Sequence, residues 1–334
     1  MIQSSLATRR LGRSPVQVTE LSFGAAAIGN LFAEVTEDEA EATIEAAWAG
    51  GIRSFDTAPH YGLGLSERRL GAVLRHYPRD EYVISTKVGR LLEPAVAPYG
   101  PDTEGFAVLA AHRRVRDYSA DGVRRSLAAS LDRLGLDRTD IALIHDPDHH
   151  GEEAFREAYP ALEELRAQGC IRAIGVGMNQ AEMLTRFVTD TDVDVILIGG
   201  RYTLLDQSAG RVLLPAARER GIGVLIGGVF NSGLLAAPTA AATYDYEPAP
   251  GRLIAEARLL EAICAQFGVP LRAAAVRFPQ RHPAVASVLV GARTADEISD
   301  AVALWHHPIP PALWDAITVM RARRTRLGAL ADRS

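Results

Sequence analysis

Short, nearly continuous apolar runs recur along the chain, separated by longer stretches whose apolar positions return every three or four residues. Residues 20–23, 52–55, 82–86, 141–144, 171–176, 193–198, 224–226 and 287–290 form the first class and predict strands. An apolar run without polar alternation is what a strand buried on both faces requires. Residues 37–49, 67–75, 120–134, 152–167, 181–188, 209–219, 253–267 and 295–303 form the second class and predict helices. In the fourth of these, Ala154, Ala158, Ala161, Leu162 and Leu165 share one face, and Glu153, Glu157, Glu164 and Arg166 lie off it. Pro160 predicts a kink in that helix, or a later start for it. Thr36 with Glu39, and Thr294 with Glu297, have capping-box spacing. Gly51, Gly135, Gly169 and Gly221 stand where helices should stop, each just ahead of a strand.

Eight strands, each followed by a helix, predict an α/β fold with a parallel sheet. The number eight, with no break in composition, predicts a closed (β/α)8 TIM barrel over about residues 19–304, within one domain spanning 1–334. An open doubly wound sheet is the alternative. It would want a G-x-G-x-x-G turn after the first strand, where only Gly24 and Gly29 occur. Residues 9–18 read as an N-terminal β-hairpin turning at Gly12-Arg13-Ser14-Pro15. Long loops follow strands three and seven, at residues 90–118 and 231–251; both are rich in Gly, Pro or Ala and are expected to be mobile. Residues 308–334 read as a C-terminal helix with a basic, loosely ordered tail.

Composition narrows the function classes. Hydrophobic residues make up 48% and charged residues 23%, which suits a globular chain and not a disordered one. A net charge of −5 carries no basic surplus for nucleic acid. No apolar run approaches the roughly 20 residues of a membrane span, and the polar start of the chain lacks a signal-peptide core. Two cysteines, Cys170 and Cys264, are too few for a disulfide framework and read as packing residues. The expectation is a cytoplasmic protein, a monomer or small homo-oligomer, acting on a small molecule without membrane or nucleic-acid partners.

Active sites of such barrels form at the C-terminal ends of the strands. Asp56 ends strand two, with Tyr61 five residues on; Lys87 ends strand three and His145 ends strand four. A phenol titrates near ~10 and is a poor proton relay at neutral pH until a nearby ammonium stabilises its phenolate. A carboxylate can hold that ammonium, and an imidazole can hydrogen-bond the reacting oxygen. The four together predict a general acid–base centre built on tyrosine, suited to carbonyl/alcohol interconversion. An Asp56–Lys87 rim salt bridge without chemistry is the bland alternative. The run His145-Asp146-Pro147-Asp148-His149-His150 offers metal-ligand types, but adjacent residues of an extended loop seldom converge, and no metal is expected. Gly291-Ala292-Arg293-Thr294 follows strand eight and opens a helix, whose free N–H groups suit a phosphate.

The runs Phe55-Asp56-Thr57-Ala58-Pro59-His60-Tyr61-Gly62, Ser66-Glu67, Ile84-Ser85-Thr86-Lys87 and Leu143-Ile144-His145 resemble the aldo-keto reductases in order and spacing. The resemblance implies a barrel with a nicotinamide cofactor at its C-terminal rim and a catalytic Asp56–Tyr61–Lys87–His145 tetrad. It also implies cofactor contacts at Gly24, Ala25, Asp56, Asn179, Gly227, Phe230, Ser232, Gly291, Arg293, Thr294 and Glu297. The family's usual stacking tyrosine at the end of strand seven is replaced here by Gly227, so a roomier nicotinamide site closed by Phe230 is expected. Asn179 matches the family's carboxamide-binding asparagine.

The runs His145-Asp146-Pro147-Asp148, Gly200-Arg201-Tyr202-Thr203-Leu204-Leu205 and Gly227-Gly228-Val229-Phe230-Asn231-Ser232-Gly233-Leu234 are similar to a sugar-oxidising branch. That branch implies oxidation of the C1 hydroxyl of an aldose, of L-fucose, L-galactose or D-arabinose type, to a lactone. Asn30, His60, Asp148 and Arg201 are the candidate substrate contacts. A pyridoxal 4-dehydrogenase and a general aldehyde reductase are the alternatives within the family. A regulatory or channel-associated subunit is the non-enzyme alternative, against which the complete tetrad argues. Members that choose NADP hold its 2′-phosphate with basic residues after strand eight; Asp296 and Glu297 occupy that stretch, so NAD is expected over NADP.

Overall fold

The structure is a computed structural model that describes residues 6–97 and 99–331. A hairpin, β1 (Thr8–Arg10) and β2 (Gln17–Thr19), precedes the barrel. Barrel strands follow as β3 (Leu21–Gly24), β4 (Ser54–Asp56), β5 (Val83–Val88), β8 (Ile141–His145), β9 (Ala173–Met178), β10 (Val195–Gly199), β11 (Gly223–Gly227) and β14 (Val285–Val290). They close in that order, each parallel to the next, with β14 returning to β3. The closed ring excludes the open-sheet alternative. Register aligns the strand ends that matter: Gly24 lies opposite Asp56, Asp56 opposite Ser85, and His145 opposite Gly177.

Two apolar layers hold the barrel. The outer one packs strand residues such as Phe23, Ile84, Ile144 and Ile226 against the surrounding helices. The inner one fills the barrel with Val83, Ile141, Leu143, Val195, Leu225 and Leu289. Leu11, Val16 and Val18 of the hairpin join this inner layer and plug the end away from the strand C-termini.

The helices are α1 (Glu37–Ala49), α2 (Leu65–Leu74), α3 (Ala120–Leu134), α4 (Gly151–Glu153), α5 (Tyr159–Ala167), α6 (Ala181–Asp190), α7 (Leu213–Glu219), α8 (Gly251–Gln266), α9 (Leu271–Arg277), α10 (Ala295–His306) and α11 (Pro311–Ala331). Both helix starts read from the sequence are capped, but differently. Thr36 and Glu39 form the full reciprocal box. Thr294 accepts from the Glu297 N–H, whereas the Glu297 carboxylate turns to the Arg293 N–H at 2.7 Å. Between α4 and α5, residues Ala154–Ala158 wind as a π-helix, so the turn ahead of Pro160 widens and the helix passes the proline without a break.

Neither long insert is a plain loop. The first carries the antiparallel pair β6 (Arg90–Pro94) and β7 (His112–Arg116). It is tied back to the loop after β3 by an isolated Leu31–Phe106 bridge and a 2.8 Å hydrogen bond from Phe32 N to Gly105 O. The second carries β12 (Thr243–Tyr244) and β13 (Glu247–Pro248), turning on Asp245 and Tyr246 with φ of 50° and 68°. The expected C-terminal helix is α11; residues 332–334 of the expected tail lie outside the described residues. Cys264 is buried as expected, but Cys170 is exposed. Among the described residues no single helix is long and apolar enough to cross a membrane.

Candidate active site

Strands β4 and β5 end side by side, and this brings Asp56 and Lys87 together. The Lys87 Nζ donates to Asp56 Oδ2 at 2.7 Å, to the Thr57 carbonyl at 2.9 Å and to the Tyr61 hydroxyl at 3.2 Å. Ser85 donates to the other Asp56 oxygen at 2.8 Å and so fixes the carboxylate plane. Tyr61 reaches the cluster from the turn between β4 and α2. His145, at the end of β8, sets its ring edge-on to Tyr61, with centroids 6.0 Å apart. The four residues converge.

Burial and charge set their states. Desolvation pulls the Lys87 ammonium down, but Asp56 and then Tyr61 outweigh it, and the net shift is upward. Burial pushes the Tyr61 phenol above its usual value; Lys87 opposes this, and Asp56 reinforces it. The sequence pointed to a lowered phenol, and here burial outweighs the ammonium. Burial, followed by Arg90 and Lys87, drops His145 well below the usual imidazole range, so it is neutral.

Of the four residues expected to contact substrate, His60 alone joins the cluster. Its ring lies 5.7 Å from that of His145 and 6.0 Å from that of Tyr61. Burial, then Arg90 and Arg114, lower its pKa to about 2. Asn30 is spent on structure: it accepts from Arg69 at 2.8 Å and from the Val35 N–H at 3.1 Å, and donates to the Ala107 carbonyl at 3.2 Å. Arg201 is held by Asp245 through contacts of 3.1 and 2.9 Å and does not line the groove; Asp245 does. Asp148 lines neither cavity described below, and its charge acts on Asp146.

A groove of about 350 Å³ opens beside the cluster. Of the residues named as cofactor contacts, Asp56, Asn179, Gly24, Gly227, Ser232, Gly291, Arg293 and Glu297 line it, and so does Tyr61. A second cavity of about 610 Å³ continues it toward α10 and shares Ser232, Tyr246, Gly291, Arg293 and Glu297. Three expected contacts sit elsewhere. Ala25 is fully buried, with its N–H bonded to Asp56 O; Phe230 lines only the second cavity; Thr294 lines neither and serves as the helix cap. Tyr246, which sequence reasoning passed over, lines both cavities.

The groove fits a dinucleotide. Its floor near Asp56 is glycine, leaving room for a flat ring. A Cβ on Gly199 would stand 2.5 Å from Asn179 Oδ1, so only glycine there leaves that amide in place. At the other end the N-terminus of α10 meets Arg293, whose Nε is buried without a partner among the described residues. Its Nη2 donates only a long 3.4 Å hydrogen bond to the Leu31 carbonyl, and a helix N-terminus beside such a guanidinium suits phosphate.

Residues 20–321 match the aldo/keto reductase family. The chain belongs to that family. It is 46% identical over 310 residues to D-threo-aldose 1-dehydrogenase of a Pseudomonas species, covering 91% of this chain and 94% of the relative. It is 40% identical to pyridoxal 4-dehydrogenase of Microbacterium luteolum, covering 92% of this chain and 96% of that one. The fold matches the holo form of an aldo-keto reductase from Bacillus halodurans with a TM-score of 0.74 at 24% identity, over 94% of this chain and 95% of that one. As an aldo/keto reductase this protein is an NAD(P)-dependent oxidoreductase.

Proposed function

We propose that this aldo/keto reductase oxidises the C1 hydroxyl of an aldose to a lactone, with NAD as the preferred cofactor. The observation that carries the reading is the Lys87 ammonium, placed to touch Asp56 and Tyr61 at once. A phenol tied to a buried ammonium can exchange a proton with a substrate oxygen. The likeness to D-threo-aldose 1-dehydrogenase supports the sugar as its source.

The nicotinamide cofactor, when bound, supplies the hydride acceptor. Asn179 would hold its carboxamide, and the α10 N-terminus with Arg293 its phosphates. Tyr61 takes the proton of the C1 hydroxyl at its Oη. Lys87 stabilises the phenolate that does so, and Asp56 keeps Lys87 in reach. Neutral His145 donates to the reacting oxygen and orients it. In the reverse direction Tyr61 returns the proton. Glu297 on the groove wall supports NAD, because its charge would oppose a 2′-phosphate.

The test is a panel of L-fucose, L-galactose, D-arabinose, pyridoxal and simple aldehydes, followed by absorbance of the reduced cofactor with NAD and with NADP. Turnover of one aldose well above the rest is the expected result. Turnover of pyridoxal or hydrophobic aldehydes, with none of the sugars, overturns the aldose reading.

A further inference from the structure

Asp146, next in the chain after His145, is built into the site in a way that neither the tetrad nor the groove uses. Its backbone is left-handed, with φ of 41°, which is uncommon for a residue other than glycine. Its N–H still bonds to Gly177 O at 3.0 Å, so the bend falls at the last rung of the barrel ladder. Tyr118 holds the bend from below, its hydroxyl shared between the His145 carbonyl at 2.6 Å and the Asp146 carbonyl at 2.9 Å. Gly89 makes way for that tyrosine, since a Cβ there would stand 2.3 Å from the ring.

The bend turns the carboxylate back over the site. Asp146 Oδ2 accepts from Arg90 Nη2 at 2.5 Å and lies 3.5 Å from His145 Nε2. The other oxygen, Oδ1, has no hydrogen bond among the described residues, and the side chain is 32% exposed. Asp146 is also close enough to Tyr61 and Tyr246 for its charge to raise the pKa of both, although it lines neither cavity. One oxygen is thus anchored by a buried arginine, and the other is left as an open acceptor beside the imidazole that receives the reacting oxygen.

We infer that Asp146 is a specificity-determining residue that accepts a hydrogen bond from a substrate hydroxyl on the carbon next to the reacting one. The inference rests on the oxidoreductase reading and sharpens its substrate class to carbonyl compounds and lactols bearing a neighbouring hydroxyl. A hydroxyl can donate to Asp146 while the adjacent oxygen engages His145 and Tyr61. A substrate without that hydroxyl leaves a charged acceptor facing carbon. A hydrogen bond to a charged group corresponds to roughly ten- to hundredfold in kcat/KM.

The test compares lactaldehyde with propionaldehyde in the direction of reduction, for the parent, Asp146→Asn and Asp146→Ala. The pair differs by the neighbouring hydroxyl alone. The expected parent prefers lactaldehyde at least tenfold in kcat/KM, and Asp146→Ala removes most of that preference. A residue that merely braces Arg90 or His145 would lower both substrates alike, and an unchanged ratio in the variants overturns the proposal. So does a parent with no preference, a result that stands even where a variant fails to fold. Aldose oxidation by the parent is measured separately against the matching 2-deoxy-aldose. If no aldose is oxidised, the aldose reading fails while the reduction pair still decides the role of Asp146.

Discussion

Tyr61 sits between opposing influences, and their balance sets the pH behaviour. Burial raises its pKa and Lys87 pulls it down, with the net upward. Oxidation needs the deprotonated phenol, so kcat/KM for the alcohol should rise with pH well into the alkaline range. Reduction needs the protonated form and should stay flat until the same region, then fall. His145 and His60 both lie far below neutrality, so neither should add an inflection between about pH 5 and 8. A limb near 6.5 in the rate profile would contradict this. Tyr61→Phe should cost ~10²–10⁴-fold in kcat, the usual weight of general acid–base catalysis. Cofactor titration by fluorescence should be nearly unaffected, and activity within about tenfold of the parent would remove Tyr61 from the role proposed for it. The proposed preference for NAD rests on Glu297, which lines both cavities. Replacing it with arginine reverses a charge at the surface, where each such contact is worth on the order of 1 kcal/mol or more. The kcat/KM ratio of NADP to NAD should rise about tenfold, and less so at high salt. Asp56, Lys87 and His145 were legible at this scale because they stand at strand ends, which periodicity locates; Tyr61 lies in the turn after β4 and was found by its spacing from Asp56 and the family resemblance. Asp146 was not picked out because the role proposed for it depends on a backbone bend and on Arg90, 56 positions away, and neither leaves a mark in local pattern. Asn30 misled for the converse reason, since its partners are set by loop geometry.

Elements differ in how far they announce themselves. The eight barrel strands are buried on both faces and appear in the sequence as nearly continuous apolar runs, interrupted by buried polar residues such as Ser22, Ser85 and Ser287. The helix α9 does not stand out, because Leu271 and Ala273 to Val276 are all buried and no polar face gives it a period. The pair β6–β7 is hidden for the opposite reason: His112–Arg116 is almost wholly basic, and antiparallel pairing holds it without an apolar face. In the second insert, the two-residue turn of β12–β13 has both central φ values positive, where Asn-Gly is the usual choice. Tyr246 accepts that conformation and reaches the groove, with its ring 5.2 Å from that of Phe32 on the loop after β3. Both rings are largely exposed, so the contact serves the rim more than the core. An aromatic pair contributes about 0.5–1.5 kcal/mol. Phe32→Ala should therefore speed cofactor release several-fold in stopped-flow displacement, with little loss of thermal stability. An unchanged release rate would show that the two inserts do not act together over the groove.

On the scale of the whole molecule, chemistry and stability sit at opposite ends of one barrel. The tetrad, the groove and both inserts occupy the strand C-termini, and the hairpin closes the other end. Leu11 is fully buried there among inner-layer residues that include Val195 and Leu225. Its neighbour Gly12 fits so closely that a Cβ would stand 2.5 Å from Gly223 N, on the strand that carries Gly227 at its far end. The hairpin is thus part of the core, although in sequence it is only a short polar segment with a turn. Truncating a buried leucine costs about 2–5 kcal/mol, the transfer loss plus the cavity left behind. Leu11→Ala should accordingly lower the midpoint of denaturant unfolding and the Tm by several degrees. Because the barrel strands between are packed on both faces, the rim geometry should survive, and kcat/KM at 25 °C should stay within about twofold. Tyr61→Phe should behave in the opposite way, with activity lost and stability kept. If Leu11→Ala impaired turnover at temperatures where it remains folded, the two ends of the barrel would be coupled, and the separation of stabilising hairpin from reactive rim would fail.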